Sequence, residues 1–298
     1  MRICVFGAGS LGSALGGILA ANNEVVLIGR RQHVGAVRQK GLVLTGSVAR
    51  RVRMEAYETV DEAGPPELLI ITTKAYDTEE AVDICSDWAE PETMVLTLQN
   101  GLGNLELLRS WKGKRAFGGT ITMGASLTAP GRVRVSGLGR VAVGSDLNPR
   151  GAGLIIQAFS SCGIPSKTSG NVRGEIWAKA IVNACINPTT AFLRIPNGAL
   201  LTSPSVSRLV RDVCRECEVI AESSGVSLPY HPMISRVRAI ARETSKNRSS
   251  MLRDIELGRR TEINQINGII AKSGALHGVP APLNRALVAI VEAIASRA

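Results

Sequence analysis

Apolar positions along this chain fall into two textures. In the first half, short aliphatic runs alternate with amphipathic stretches. RICVF at 2–6 has the pattern of a buried strand, and the 3–4 spacing from about Ser10 to Ala21 predicts a helix. EVVLI (24–28), ELLIITT (67–73) and MVLTLQ (94–99) predict three more strands, with a helix-like run, YDTEEAVDICSDW, between the last two. Strands alternating with helical patterns predict a parallel α/β sheet. Beyond Arg115, FGGTITMGAS, GRVRVSG and RVAVGS are glycine-bounded β runs, expected as an antiparallel extension of that sheet. GAGLIIQAFSSCGI then predicts a helix and PSKTSG a turn. From about Asn171 the spacing is almost wholly helical, over 171–187, 204–224, 231–244, 249–277 and 282–296. Pro188, Pro196, Pro204, Pro229, Pro232, Pro280 and Pro282 fall near the expected joints.

Between the first strand and the first helix stands Gly7-Ala8-Gly9-Ser10-Leu11-Gly12, a GxGxxG. Its first glycine suits a tight turn, its second gives a pyrophosphate room at the backbone, and its third lets helix and strand pack closely. The helix N-terminus adds free N–H groups and a positive dipole end. The strand–turn–helix setting therefore points to a dinucleotide. The expected fold is α/β: a Rossmann-type dinucleotide-binding domain over 1–170, followed by an all-α substrate and catalytic domain over 171–298.

The end of the second strand bears on which dinucleotide. Where an NAD site offers an acid to the ribose 2′-OH, this chain reads Gly29-Arg30-Arg31. Guanidiniums suit a 2′-phosphate through charge-assisted hydrogen bonds. The expectation is NADPH/NADP+, with Arg30 the primary contact and Arg31 a second. The alternative is a solvated surface pair.

The first helix of the second half, within GEIWAKAIVNACINPTTAF (174–192), carries Lys179, Asn183 and Asn187 four residues apart among Ile, Ala, Val and Cys. Four residues return to the same helix face with about 40° of drift, so the three form one polar stripe about three turns tall. Buried without partners such groups cost several kcal/mol. The stripe therefore meets solvent, protein groups or a ligand. A solvated face, with Asn187 closing the helix before Pro188, is the plainer reading.

Composition narrows the partners. The chain has 298 residues, 45% hydrophobic but only 3% aromatic, and a formal charge of +10. The excess favours anionic partners. Basic residues are scattered and few aromatics are available to stack on bases, so small anions such as phosphates and carboxylates fit and nucleic acid does not. Cys4, Cys162 and Cys185 read as small buried hydrophobes. Cys214 and Cys217 form a CxxC inside a helical pattern with no second pair nearby, so no metal site is expected. A reducing, cytoplasmic setting is the simpler inference. MRICVFGAG enters a strand and then glycines, unlike a signal peptide, and no apolar run is long enough for a membrane span.

Taken with GAGSLG (7–12), TTKA (72–75), LQNGLG (98–103), KAIVNACINPTTA (179–191), PNG (196–198) and NRSSMLRDIELGRRTEINQINGII (247–270), the chain resembles the ketopantoate reductase family nearly end to end. The last stretch is the most distinctive. The resemblance implies reduction of the 2-oxo acid ketopantoate (2-dehydropantoate) to pantoate, in pantothenate and coenzyme A synthesis. It implies Lys179 as proton donor, with Asn183, Asn187 and Asn197 lining the substrate pocket and Ser250 holding the substrate carboxylate. Lys74 and Asn100 would lie beside the cofactor, Asn100 also near the substrate, and Ala125 would touch the cofactor by its backbone. Glu262 would help position the cofactor and complete the active site. Some relatives have His just before the position of Ala125, where this chain has Gly124.

Each role has a plainer reading in the residues alone. One of Ser249 and Ser250 is placed to cap a helix. Glu262 has Arg259 three residues back as a surface ion-pair partner, Asn197 suits a turn, and Lys74 suits a loop. The small-molecule substrate is a 2-oxo acid, and a homodimer is admitted. Two other readings stay open: a related reductase of another 2-oxo acid, and a non-catalytic NADPH-binding redox sensor.

Overall fold

Ile3 and Val5 face one way, Cys4 the other, and all three are almost completely removed from water. β1 (Arg2–Phe6) is therefore a central strand buried on both faces. The computed structural model describes residues 1–296. The chain divides into two units. One comprises Met1–Gln99 and Asn104–Val172, and the other Asn100–Gly103 and everything from Arg173 onward.

The first unit contains, after β1, α1 (Ser10–Leu19), β2 (Glu24–Ile28), α2 (Arg31–Lys40), β3 (Leu42–Gly46), β4 (Arg50–Val52) and β5 (Glu55–Tyr57). It continues with β6 (Leu68–Ile71), α3 (Thr78–Ser86), β7 (Met94–Thr97), α4 (Asn104–Lys112) and β8 (Ala116–Ile121). β9 (Gly124–Ala129), β10 (Arg132–Gly137), β11 (Val141–Gly144), α5 (Pro149–Ser160) and β12 (Ser166–Thr168) complete it. The main sheet runs β5-β2-β1-β6-β7-β8-β11-β12. Pairing is parallel from β5 to β8, and β11 is antiparallel to β8. Strand progression reverses at β1, so the crevice beyond the C-terminal ends of β1 and β6 is the topological switch point of an open α/β sheet. Ile3, Val5, Leu27 and Leu68 share one apolar cluster with Leu15 of α1 and Phe159 of α5; Cys4, Leu69, Ile71 and Val95 share another with Cys85 of α3 and Leu108 of α4.

Several expectations are corrected here. The glycine-bounded runs do not all extend one sheet. β8 joins the main sheet in parallel and β11 antiparallel, but β9 and β10 leave to form a second sheet, β4-β3-β10-β9. Alternation places Val133 and Val135 of β10 inward with Leu42 and Leu44 of β3, which gives this sheet its own apolar face against α1. PSKTSG contains the short strand β12, parallel to β11, rather than only a turn. Cys162 is half-buried rather than buried, with Sγ 3.3 Å from the Leu19 carbonyl. α2 and β3–β5 have little periodicity to betray them, and only His33, Val34 and Val37 of α2 are buried.

The second unit holds α6 (Val172–Leu193), α7 (Pro204–Ser223), α8 (Met233–Glu243), α9 (Ser250–Glu256), α10 (Ile269–Leu276) and α11 (Pro282–Ala295). The helix expected over 171–187 does not close at Asn187. It continues through Pro188 to Leu193. The helix expected over 249–277 is broken into α9, a loop at 257–262, a π-helical turn at Asn264–Gly268, and α10. Gly258 at φ 60° ends α9. Ile181, Cys185, Val213, Ile220, Leu252, Ile266 and Leu287 share one core, which Leu102 of the 100–103 segment joins. Cys214 and Cys217 lie within this core, and burial pushes the Cys217 thiol up, far from a thiolate.

α11 begins without a side-chain cap of its own, since Ala281 precedes Pro282. Glu216 of α7 does that work. Its carboxylate accepts from Leu283 N at 3.0 Å and from Asn284 N and Nδ2 at 2.8 Å each. Replacing Glu216 with alanine should lower unfolding free energy by about 2 kcal/mol, the combined scale of a lost cap and a stranded buried amide. The shift in denaturant midpoint measures it.

Candidate active site

Gly7 has φ 102°, a backbone state that L side chains rarely adopt, and a Cβ there would come within 2.6 Å of Thr73 N. Its N–H and that of Ala8 both donate to the Ile28 carbonyl, at 3.0 and 2.8 Å, which turns the chain sharply off β1. A Cβ on Gly9 would meet nothing nearer than 3.9 Å, leaving the backbone open to a ligand. A Cβ on Gly12 would lie 2.3 Å from Gly7 O and 2.4 Å from Thr72 Oγ1. α1 thus starts hard against the turn, with Ser10 in its first turn accepting from Leu127 N at 2.9 Å and Leu11 half-buried beside it. The cradle fits a dinucleotide pyrophosphate: free N–H groups, positive dipole end, room at the second glycine.

Arg30 is exposed at the N-cap position of α2, and Arg31, also exposed, follows at its first residue. Arg31 Nε lies 3.9 Å from Glu58 Oε1, a loose surface pair, while no acid pairs with Arg30 among the described residues. Nearby sits a histidine that sequence reasoning passed over. His33 Nδ1 accepts from Gly131 N at 3.1 Å, so Nε2 carries the proton and donates to Ser13 Oγ at 2.9 Å. Burial lowers its pKa, which favours this neutral, two-ended link between α1, α2 and the second sheet. Lys74, half-buried, precedes a 3₁₀ turn after β6. Ala125, half-buried in β9, pairs with Val135. Gln99 was also passed over. Its Nε2 lies 3.1 Å from Thr73 Oγ1 and 2.9 Å from Thr78 Oγ1, and its Oε1 accepts from Thr97 Oγ1 at 2.9 Å, so it braces the Lys74 loop.

In the second unit Lys179, Asn183 and Asn187 lie along continuous α6, the first two half-buried and Asn187 buried. Burial lowers the Lys179 pKa to about 8, against the opposing pull of the Glu262 carboxylate. Asn187 is buried and does not close the helix, so the stripe is not a wholly solvated face. Glu262 is itself buried, 5% exposed, and accepts from Asn100 Nδ2 at 3.3 Å. A surface carboxylate, the plainer expectation for Glu262, does not match that burial. The 100–103 segment is gripped by the π-turn, with Leu102 N donating to Gln265 O at 3.1 Å and Gly101 at φ 84° passing so close that a Cβ would meet that oxygen.

Of the two serines, Ser249 is the cap. Its Oγ accepts from Leu252 N at 3.1 Å and lies 2.8 Å from Thr190 Oγ1. Ser250 is exposed, in the first turn of α9. Asn197 is buried, its amide donating to Thr244 Oγ1 at 2.9 Å while Oδ1 has no protein partner. A buried acceptor of this kind is an unmet hydrogen-bonding need in the fold. Among the described residues no three His, Cys, Asp or Glu side chains converge as a metal site, and no helix is long and apolar enough to cross a membrane.

Residues 3–147 match the model of ketopantoate reductase PanE/ApbA, and residues 171–295 match that of the ketopantoate reductase PanE/ApbA C terminal. The chain belongs to the ketopantoate reductase family. A 2-dehydropantoate 2-reductase of Pyrococcus horikoshii is 37% identical, covering 98% of this chain and 97% of the relative. A PanE/ApbA family ketopantoate reductase from Ralstonia eutropha JMP134 superposes with a TM-score of 0.93 at 33% identity, covering 100% of this chain and 99% of that one. D-mandelate dehydrogenase, in a ternary structure with NADH and anilino(oxo)acetate, also gives a TM-score of 0.93, at 27% identity and the same coverage. Ketopantoate reductase family membership accords with the glycine turn after β1. It leaves the individual residue roles to the chemistry of this chain.

Proposed function

We propose that this chain is an NADPH-dependent 2-dehydropantoate 2-reductase of the cytoplasm, its first unit binding the dinucleotide and its second, as a substrate and catalytic domain, holding the 2-oxo acid. The observation that carries the reading is Lys179: an ammonium with its pKa brought to about 8, beside a buried carboxylate, on a helix whose polar stripe is otherwise amide. Six free cysteines fit the proposed location.

When bound, the dinucleotide supplies a hydride to the carbonyl carbon of the substrate. Gly7, Ala8, Gly9, Ser10, Leu11 and Gly12 would hold its pyrophosphate, and Arg30, helped by Arg31, would hold the 2′-phosphate. Lys74, Asn100 and the backbone of Ala125 would be its remaining contacts. Reduction puts negative charge on the carbonyl oxygen, and Lys179 would meet it with a positive charge and then a proton. Glu262 keeps Lys179 protonated and aimed, and Asn100 steadies Glu262. Asn183 and Asn187 rise about 6 and 12 Å along α6 from Lys179, matching polar groups spaced along the substrate. Asn197 accepts from a substrate hydroxyl. Ser250, exposed in the first turn of α9, donates to the substrate carboxylate.

The likeness to D-mandelate dehydrogenase supports a second reading, in which the same Lys179 chemistry serves another 2-oxo acid. Loss of NADPH absorbance with ketopantoate, pyruvate, ketoisovalerate, oxaloacetate and phenylglyoxylate decides between them. No turnover with any of these would leave only a nucleotide-binding sensor. Cofactor choice has its own test. Arg30→Ala should raise KM for NADPH by about 10–100-fold, the scale of a lost charge-assisted phosphate contact, and leave KM for NADH nearly unchanged. Equal changes for both would remove Arg30 from the 2′-phosphate site.

A further inference from the structure

An uninterrupted helix already commits each interior carbonyl to one of its own N–H groups, so another element finds no wholly unpaired acceptor there. α6 is interrupted. Pro188 has no N–H to give the carbonyl four residues back, that of Ala184, and Ala184 is fully buried. The orphan is taken by a side chain far along the chain: Asn267 Nδ2 donates to Ala184 O at 3.1 Å. The second hydrogen of the same amide goes to Asn284 Oδ1 at 2.9 Å, and the Asn284 amide donates in turn to Glu216. Ala184 O can only accept, so the direction of the whole chain of amides is fixed. Asn267 and Asn284 are both 0% exposed.

The position of Asn267 gives this contact its meaning. It stands in the π-turn Asn264–Gly268, and that turn hangs on Glu262, whose backbone carbonyl accepts from Gln265 N and Ile266 N at 3.1 Å each. The acceptor, Ala184 O, lies on α6 between Asn183 and Asn187, a little over one turn beyond Lys179. One amide thus connects the break in the lysine helix to the segment bearing the carboxylate. Inserted turns of the π type recur at functional sites, where an extra residue re-aims the chain.

We propose that Asn267 is a positioning residue for the Lys179–Glu262 pair: by gripping the carbonyl that Pro188 leaves free, it sets the register of the Glu262 segment against α6. It touches neither substrate nor cofactor. The proposal rests on the catalytic reading of Lys179 given above. Pro188 and Asn267 form a lock and its bolt, one exposing a main-chain acceptor and the other occupying it.

Two variants of the full chain test this, assayed with NADPH and ketopantoate. Asn267→Ala should lower kcat by about 10–100-fold, the cost of a misplaced catalytic group, while NADPH binding followed by fluorescence is unchanged. The alkaline limb of its pH–rate profile should move to lower pH, because the Glu262 carboxylate no longer holds the Lys179 proton. The double variant Asn267→Ala/Pro188→Ala returns an N–H to Ala184 O and relieves the orphaned carbonyl without restoring the link. It should recover thermal stability and keep both the low kcat and the displaced limb. Wild-type turnover in the double variant would reduce Asn267 to filling a hydrogen bond, and wild-type kcat and limb in Asn267→Ala would overturn the proposal outright. If Lys179→Ala is itself fully active, the catalytic reading fails first; if that variant is dead and the Asn267 variants are normal, only this proposal falls.

Discussion

Lys179→Ala should lower kcat for ketopantoate by roughly 10²–10⁴-fold, the usual worth of a positioned proton donor, with little change in NADPH affinity. The effect is large because the same group supplies both charge and proton where the oxyanion forms. Its pH dependence carries the sign of the mechanism. The protonated amine is the working form in reduction, so kcat/KM should fall as pH rises through about 8. In the reverse direction the neutral amine accepts the proton, and the rate should rise through the same range. Burial lowers this pKa and Glu262 raises it, so Glu262→Gln should move both limbs to lower pH. A full-rate Lys179→Ala enzyme would end the mechanism.

Gly12→Ala should show the opposite division of effects. The new Cβ would stand 2.3 Å from Gly7 O, a backbone atom held in a turn at φ 102°. Neither atom can yield cheaply, and overpacking of this kind costs about 1–3 kcal/mol. If that cost falls on the turn, the dissociation constant for NADPH rises by about 5–150-fold. Fluorescence titration measures it, and circular dichroism checks that the sheet survives. Weakened cofactor binding with intact chemistry at saturation is the expected outcome. Unchanged NADPH affinity would show that the glycine turn is not where the pyrophosphate lies.

The comparison of these two residues shows what a linear reading reaches. The glycine turn is local: strand, turn and helix lie within twenty residues, and the conformation each glycine needs follows from its spacing. The polar stripe is equally local, because helix geometry alone aligns Lys179, Asn183 and Asn187. What escapes is whatever is completed from a distance. Proline inside a helical pattern normally marks an end, yet α6 runs on past Pro188, and Asn267, far along the chain, donates to the carbonyl left without its usual partner. Ser249 rather than Ser250 is the cap, and its hydroxyl also meets Thr190, which lies 59 positions away. Glu262 sits three residues from Arg259, yet is turned inward, toward Asn100. β9 and β10 resemble more of the same sheet until Val133 and Val135 find β3 as their inner neighbour. In each case the pattern identifies the type of residue needed, and the partner comes from elsewhere in the chain.

The four residues from Asn100 to Gly103 have a consequence for how this molecule can be divided. They belong with the helical unit although the strand before them and the helix after them belong to the other. Leu102 fills part of the helical core, and its N–H is bonded to Gln265 O. The polypeptide therefore makes a short excursion and returns before it crosses for good at Val172. No single scission yields two self-sufficient pieces: a fragment beginning at Arg173 would arrive without its own Asn100, the residue that steadies the carboxylate of Glu262.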